Sequence, residues 1–142
     1  MSNPYNLRVI AEFRAGGGVV GGDFTGTRLL LLTTRGARTG LTRTTPLVYL
    51  PDGDRLVVFA LNGGAPVAPA WYHNLLAHPE DVVVEVGAET FPARFAEIVD
   101  EAEYEELWRR QIEIEPKFAG FRERAGRRVP LVALGRADRA EA

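Results

Sequence analysis

Two stretches carry the residue types that can do chemistry in this chain. The first runs Thr33-Thr34-Arg35-Gly36-Ala37-Arg38-Thr39-Gly40-Leu41-Thr42-Arg43-Thr44-Thr45-Pro46-Leu47 and sets arginines, hydroxyls and glycines between two apolar runs. An arginine fork can hold two phosphate oxygens at once, and hydroxyls or free backbone N–H groups beside it add donors. Gly36 and Gly40 allow the backbone to bend close to an anion. A hairpin loop with solvated arginines has the same composition, so this stretch alone leaves both readings open. The second stretch is Gly63-Gly64-Ala65-Pro66-Val67-Ala68-Pro69-Ala70-Trp71-Tyr72-His73-Asn74-Leu75. It places a bulky aromatic at the start of a short helix behind a Gly/Pro loop, an arrangement suited to a flat ring. Trp71, Asn74 and Leu75 share one helix face at these spacings. His73 lies about 200° round from Trp71 and is expected to face away from a ring packed there. Trp71 reads as a core anchor, a ring contact or both, and His73 and His78 read as surface imidazoles. Together the two stretches imply a site for a phosphorylated, planar cofactor.

The elements that must position this site follow from periodicity and punctuation. Pro4–Ala15 reads as an amphipathic helix with Leu7, Ile10 and Phe13 near one face, stopped by Gly16-Gly17-Gly18. Gly21–Gly26 is a turn-rich connection. Arg28–Thr34, with the run Leu29–Leu32, is a candidate buried strand. Thr44–Leu50 and Arg55–Leu61 read as strands joined by the turn Pro51-Asp52-Gly53-Asp54. Pro69 suits the first position of a helix running to Ala77, and Pro79 ends it. Asp81–Val86 and Thr90–Val99 form a second strand pair across Gly87-Ala88-Glu89. Asp100 and Glu103 resemble a capping box opening a helix to Glu113. Pro116 opens a shorter helix towards Arg122 that Gly126 breaks, and Val129–Leu134 is a last strand. Six strands, mostly hairpin-connected, with few helices predict a mainly antiparallel sheet closed into a small barrel with flanking helices. A doubly wound sheet needs a helix between successive strands, which the pattern lacks. A single domain over residues 1–142 is expected, with 136–142 as a flexible tail.

Bulk properties exclude several function classes. The chain has 142 residues, 46% hydrophobic and 25% charged, with a net charge of −2, which suits one globular domain and argues against a general nucleic-acid binder. There is no cysteine, hence no disulfide framework, iron–sulfur centre or thiol nucleophile. Two histidines without HExxH spacing leave no catalytic metal site to expect. No apolar run approaches the ~20 residues that span a bilayer. Arg8, Glu12 and Arg14 interrupt any signal-peptide core, so a cytoplasmic location is expected. Weak membrane-surface attachment through the first helix is the peripheral alternative, although its apolar face is short enough for a barrel to cover.

The Arg/Gly loop and the Gly-Gly-x-Pro-x-x-Pro-x-Trp-Tyr-x-Asn-Leu stretch carry a resemblance to the deazaflavin-dependent nitroreductase family, whose members have a split β-barrel and use coenzyme F420. The likeness begins at Ile10-Ala11-Glu12-Phe13-Arg14-Ala15-Gly16-Gly17, runs through Leu30-Leu31-Leu32-Thr33-Thr34 and ends at Val129-Pro130-Leu131-Val132. It implies phosphate contacts from Ala37, Arg38 and Thr39 and from Arg43, Thr44, Thr45 and Pro46. It implies ring contacts from Phe59, Ala60, Leu61, Asn62 and Gly63 and from Ala70, Trp71 and Asn74. The activity implied is hydride transfer from reduced F420 to an electron-poor small molecule, a quinone, enone or nitro compound. The protein's part is mainly to bind, orient and shield.

Two departures matter. Where the family's best-studied members often carry tyrosines, this chain has Glu115, Phe118 and Phe121. The substrate-pocket candidates are therefore Phe118, Phe121 and Trp71, with no catalytic acid or base assigned. Phe118 cannot donate a proton, so an activity relying on a tyrosine hydroxyl there, notably nitroimidazole reduction, is not carried over by the resemblance. Packing of a short helix accounts for both phenylalanines equally well. Asn62 and Ala68 stand where relatives often have lysine and histidine. A non-catalytic F420-binding or storage protein, and an FMN- or haem-binding split barrel, are the alternatives. Monomer and homodimer both remain open.

Overall fold

The computed structural model describes residues 4–21 and 27–137. In chain order the elements are α1 (Pro4–Ala15), β1 (Leu29–Arg35), β2 (Thr42–Asp52), β3 (Arg55–Phe59), a 3₁₀ turn (Asn62–Gly64), α2 (Ala70–Ala77), β4 (Val83–Val86), β5 (Glu89–Glu97), α3 (Glu101–Ile114), α4 (Lys117–Ala125) and β6 (Leu131–Arg136). The six strands close an antiparallel barrel in the order β1-β2-β3-β6-β5-β4.

The continuous leucine run of β1 is explained by burial on both faces. Leu30 and Leu32 point into the barrel with Val58, Val84 and Val132. Leu29 and Leu31 point outward and are covered by Val9, Ile10 and Phe13 of α1. Of the expected apolar face, Ile10 and Phe13 are taken up by the barrel together with Val9, whereas Leu7 stays exposed because the packed stripe turns towards Val9. No helix among the described residues is long and apolar enough to cross a membrane. On the opposite flank, α3 and α4 pack Tyr104, Leu107, Trp108 and Phe118 against Phe59, Leu131 and Ala133.

Punctuation places the helix ends close to expectation. Gly18 N–H donates to the Phe13 carbonyl at 2.8 Å and closes α1. Asp100 accepts from the Glu103 N–H at 2.9 Å and caps α3, worth about 1 kcal/mol. The reciprocal half of the expected box is diverted, because the Glu103 carboxylate takes Arg55 at 2.7 Å. Pro69 proves to be the N-cap of α2 rather than its first residue. α4 runs on to Ala125, where Gly126 at φ 61° ends it. β6 continues two residues past Leu134, so Arg136, expected in the tail, is a strand residue opposite Ala93. Most of the Gly21–Gly26 connection and the tail from 138 lie outside the described residues.

The barrel is split where β2 changes partner. β2 pairs with β1 over residues 42–48 but with β3 only over 49–52. β3 stops at Phe59, two residues short of its expected end, and the chain swings into the segment 60–69. The N-terminal half of β2 is therefore an open edge, and Pro46, which has no N–H to leave unpaired, sits on it. That gap is the mouth in which the candidate residues converge.

Candidate functional site

The loop between β1 and β2 is built by its own backbone. Gly36 N–H donates to the Leu41 carbonyl at 2.8 Å and Gly40 N–H to the Gly36 carbonyl at 2.9 Å, while Leu41 N–H donates to Thr39 Oγ1 at 3.1 Å. Gly40 holds φ +73°, a conformation that side chains resist. α2 anchors this loop from outside: the Asn74 amide oxygen accepts from the Ala37 N–H at 2.9 Å, and its Nδ2 donates to Thr34 Oγ1 at 3.1 Å. Behind the loop, Thr33 and Thr44 share a hydroxyl hydrogen bond of 2.8 Å.

A cleft of about 660 Å³ opens over this loop, lined by Ala37, Arg38, Thr39, Arg43, Thr44 and Thr45 from the β1–β2 side and by Ala70, Trp71, His73 and Asn74 from α2, with Asn6 of α1 at its edge. Among the described residues, neither Arg38 nor Arg43 has an ion pair or a side-chain hydrogen bond, and the backbone N–H groups of Arg38 and Thr39 are equally unengaged. Most arginines elsewhere are neutralised: Arg14 by Glu85, Arg35 by Asp81, Arg110 by Asp52, Arg122 by Glu105 and Arg128 by Glu101. At the far end of the barrel a cleft of about 510 Å³ also has arginines on its rim, but Arg136 is paired there with Glu89 and Arg55 with Asp52. Two uncommitted guanidinium groups beside free N–H donors are what an anion needs.

The polar cleft adjoins an apolar one of about 270 Å³, with Thr45 and Trp71 lining both. The walls of this slot are Pro46, Leu47 and Val48 of the open β2 edge, then Phe59, Leu61, Asn62, Gly63 and Pro69, and finally Phe118 and Phe121 of α4. Phe59 meets Phe118 edge-on with centroids 5.7 Å apart, and Phe118 meets Phe121 likewise at 5.6 Å. Phe118 is 6% exposed and Trp71 5%, so both are core residues that also present a surface to the slot. The packing and pocket readings coexist in them.

The structure corrects the sequence reading at three places. Ala60 lines neither cleft: it is fully buried, and its N–H continues the sheet by donating to the Pro130 carbonyl at 2.9 Å. Its neighbours Phe59 and Leu61 reach the slot because alternation sends Ala60 the other way. His73 does not face away from the site but lines the polar cleft, since that cleft passes round the start of α2 and not only along its Trp71 face. Asn74 borders the cleft, but its two amide ends are committed to Ala37 and Thr34. It positions the loop. Asn6 belongs to an element that offered no local signal. His78, Glu80 and Asp81 bring possible metal-ligand atoms within 4.8 Å of one another, at an exposed turn away from both clefts.

The residues fit a phosphorylated flat ring on the structure's own terms: unpaired cations and N–H donors at one end, an aromatic slot at the other, joined through Trp71. Split barrel and site together define a cofactor-dependent oxidoreductase. The profile of the F420H(2)-dependent quinone reductase family matches residues 7–135, and the chain belongs to that family. It is 38% identical over 109 residues to the F420H(2)-dependent quinone reductase Rv1261c of Mycobacterium tuberculosis (strain ATCC 25618 / H37Rv), covering 75% of this chain and 72% of the relative. A solved F420-H2 dependent reductase (FDR-A) superposes with a TM-score of 0.65 at 30% identity, over 75% of this chain and 93% of that one. A second structure, described as a domain-swapped dimer, gives 0.67 at 29% identity over 90% of this chain and 92% of that one. The protein is an oxidoreductase that uses reduced coenzyme F420 to reduce an electron-poor small molecule.

Proposed function

We propose that the acceptor is a quinone and that the two adjoining clefts divide the work of binding it and the cofactor. Arg38 and Arg43, with Thr39, Thr44 and the N–H groups of the loop, would hold the cofactor's phosphate. Pro46, Phe59, Leu61, Asn62, Gly63, Ala70 and Trp71 would hold its ring, with Asn74 fixing the loop from behind. When bound, the reduced deazaflavin supplies a hydride, so this chain's task is placement and shielding. Phe118 and Phe121 wall the side of the slot left for an acceptor and keep water from it. Among the described residues, those lining the slot include no tyrosine, histidine or carboxyl group. The proton that completes quinone reduction therefore comes from solvent at the mouth, and an acceptor that needs an acid held against the ring is disfavoured.

The observation that carries this reading is the pair Arg38 and Arg43, left without a partner among the described residues at the polar end of an aromatic slot. Fluorescence titration with oxidised F420, with FMN in parallel, tests the binding half. Menadione-dependent oxidation of reduced F420 tests the acceptor half. F420 affinity that falls with Arg38→Ala, together with menadione turnover, supports both. Binding with turnover of nitro compounds or enones but not quinones would overturn the acceptor assignment alone. All six strands and both clefts come from one chain. A homodimer formed without exchange of an element would be an assembly of complete sites, whereas one swapped like the domain-swapped relative would build a unit from both chains.

A further inference from the structure

One side chain outside every motif holds the slot's shape. Arg127 follows the glycine that ends α4, and its guanidinium donates to four backbone carbonyls of the segment opposite: Ala60 at 3.1 Å, Leu61 at 3.2 Å, Val67 at 3.0 Å and Ala65 at 3.3 Å. It has no carboxylate partner among the described residues. The segment it grips has two backbone hydrogen bonds of its own, Gly64 N–H to the Leu61 carbonyl and Ala65 N–H to the Asn62 carbonyl, both 3.1 Å. Asn62 sits at φ +53° and Gly63 at +66°, and the other side-chain tie across the loop is Asn62 Nδ2 to the Val67 carbonyl at 3.2 Å. The grip also draws the segment onto α4. A Cβ built at Gly64 would lie 3.3 Å from Arg124 Nε and 3.4 Å from the Phe121 carbonyl oxygen, so the two walls are already in close contact.

We infer that Arg127 is a positioning residue: it fixes residues 60–67 against α4 and so sets the width of the slot between Leu61, Asn62 and Gly63 on one side and Phe118 and Phe121 on the other. This deepens the proposed ring site and rests on that reading. Nε takes the Ala65 carbonyl while Nη2, with two hydrogens, is shared among those of Ala60, Leu61 and Val67, so the rigid planar fork reaches the segment from two atoms at once. Lysine keeps the charge but offers a single rotating point of donation.

The test compares wild type with Arg127→Lys and Arg127→Ala by amide hydrogen exchange, F420 titration and steady-state turnover of reduced F420 with menadione. Faster exchange at the Gly64 and Ala65 amides, with barrel amides unchanged, is expected in both variants. F420 affinity and kcat should fall together, kcat by about tenfold to a hundredfold, the scale of a misplacement near 1 Å. If the alanine variant fails to fold, the lysine variant alone decides. Unchanged exchange in residues 60–67 would overturn the inference, as would loosened exchange with affinity and kcat intact. Failure of the wild-type protein to bind F420 would sink the ring-site reading and the positioning role with it, and is seen in the titration before any variant is made.

Discussion

Asn74 accepts a hydrogen bond from the Ala37 backbone N–H at 2.9 Å, and this contact ties the two chemical stretches of the chain together. The same side chain donates to Thr34, which is 2% exposed. Asn74→Ala removes both bonds and leaves a buried hydroxyl without its donor. A loss of about 1–3 kcal/mol is expected, read as a lower urea midpoint. F420 affinity should fall as well, because the loop loses its external anchor. An unchanged affinity would show that the loop's own hydrogen bonds suffice.

Arg38→Ala and Arg43→Ala should behave in the opposite way. Neither side chain has a partner among the described residues, so folding stability should move by no more than about 0.5 kcal/mol. Each removes a charge-assisted contact worth about 1.5–3 kcal/mol, which is a weakening of F420 binding of roughly 10- to 100-fold. Calorimetry and titration on the same samples separate the two effects. A large stability loss would mean the arginines serve the fold.

Phe118 and Phe121 differ in burial, and their substitutions should differ accordingly. Phe118 lies between Phe59 and Phe121 and is nearly inaccessible, so Phe118→Ala should cost about 3–5 kcal/mol. Phe121 is only partly buried. Phe121→Ala is expected to raise the acceptor KM with a much smaller drop in melting temperature. Equal destabilisation by both would remove Phe121 from the list of slot residues with a separable role.

Acid should weaken the junction between the β2–β3 hairpin and α3. Asp52 bonds Arg55 and accepts from Arg110 at 2.8 Å, and Arg110 also donates to the Pro51 carbonyl at 2.8 Å. These partners, Arg55 first and then Arg110, hold the Asp52 carboxyl below its ordinary pKa of 3.8. A depressed folded pKa stabilises above the unfolded value and loses that contribution as pH falls through the folded one. Melting temperature should therefore drop below about pH 4, and Asp52→Asn should flatten that limb. At the alkaline side, Glu97 accepts from the Tyr72 hydroxyl at 2.6 Å and, with burial, pushes its pKa up to about 12. That contribution is present below pH 10 and is lost as pH rises through the folded value. Ultraviolet titration of Tyr72→Phe against wild type isolates it.

Much of this protein is written locally. The leucine run of β1, the Pro51–Asp54 turn, the Asp100 cap and the Gly126 stop are short-range signals, and each marks an element end within a few residues of its observed place. The composition of the two stretches pointed to an anion and a flat ring, while the individual contacts came from the family resemblance; of those, Ala37, Arg38, Thr39, Arg43, Thr44, Thr45, Pro46, Phe59, Leu61, Asn62, Gly63, Ala70, Trp71 and Asn74 line the two clefts. What the sequence could not determine depends on which distant segments meet. The partner change along β2 opens the barrel, and it requires knowing where β3 leaves the sheet. Ala60 is lost to the core because its strand's alternation is referenced to β6. His73 enters the cleft because α2 meets the mouth with its first turn. Arg127 acts on carbonyls at least 60 residues away, and a backbone carbonyl has no sequence signature. Periodicity tells which side of an element is apolar, whereas closure of the barrel decides which polar groups are left over, and those leftovers form the site.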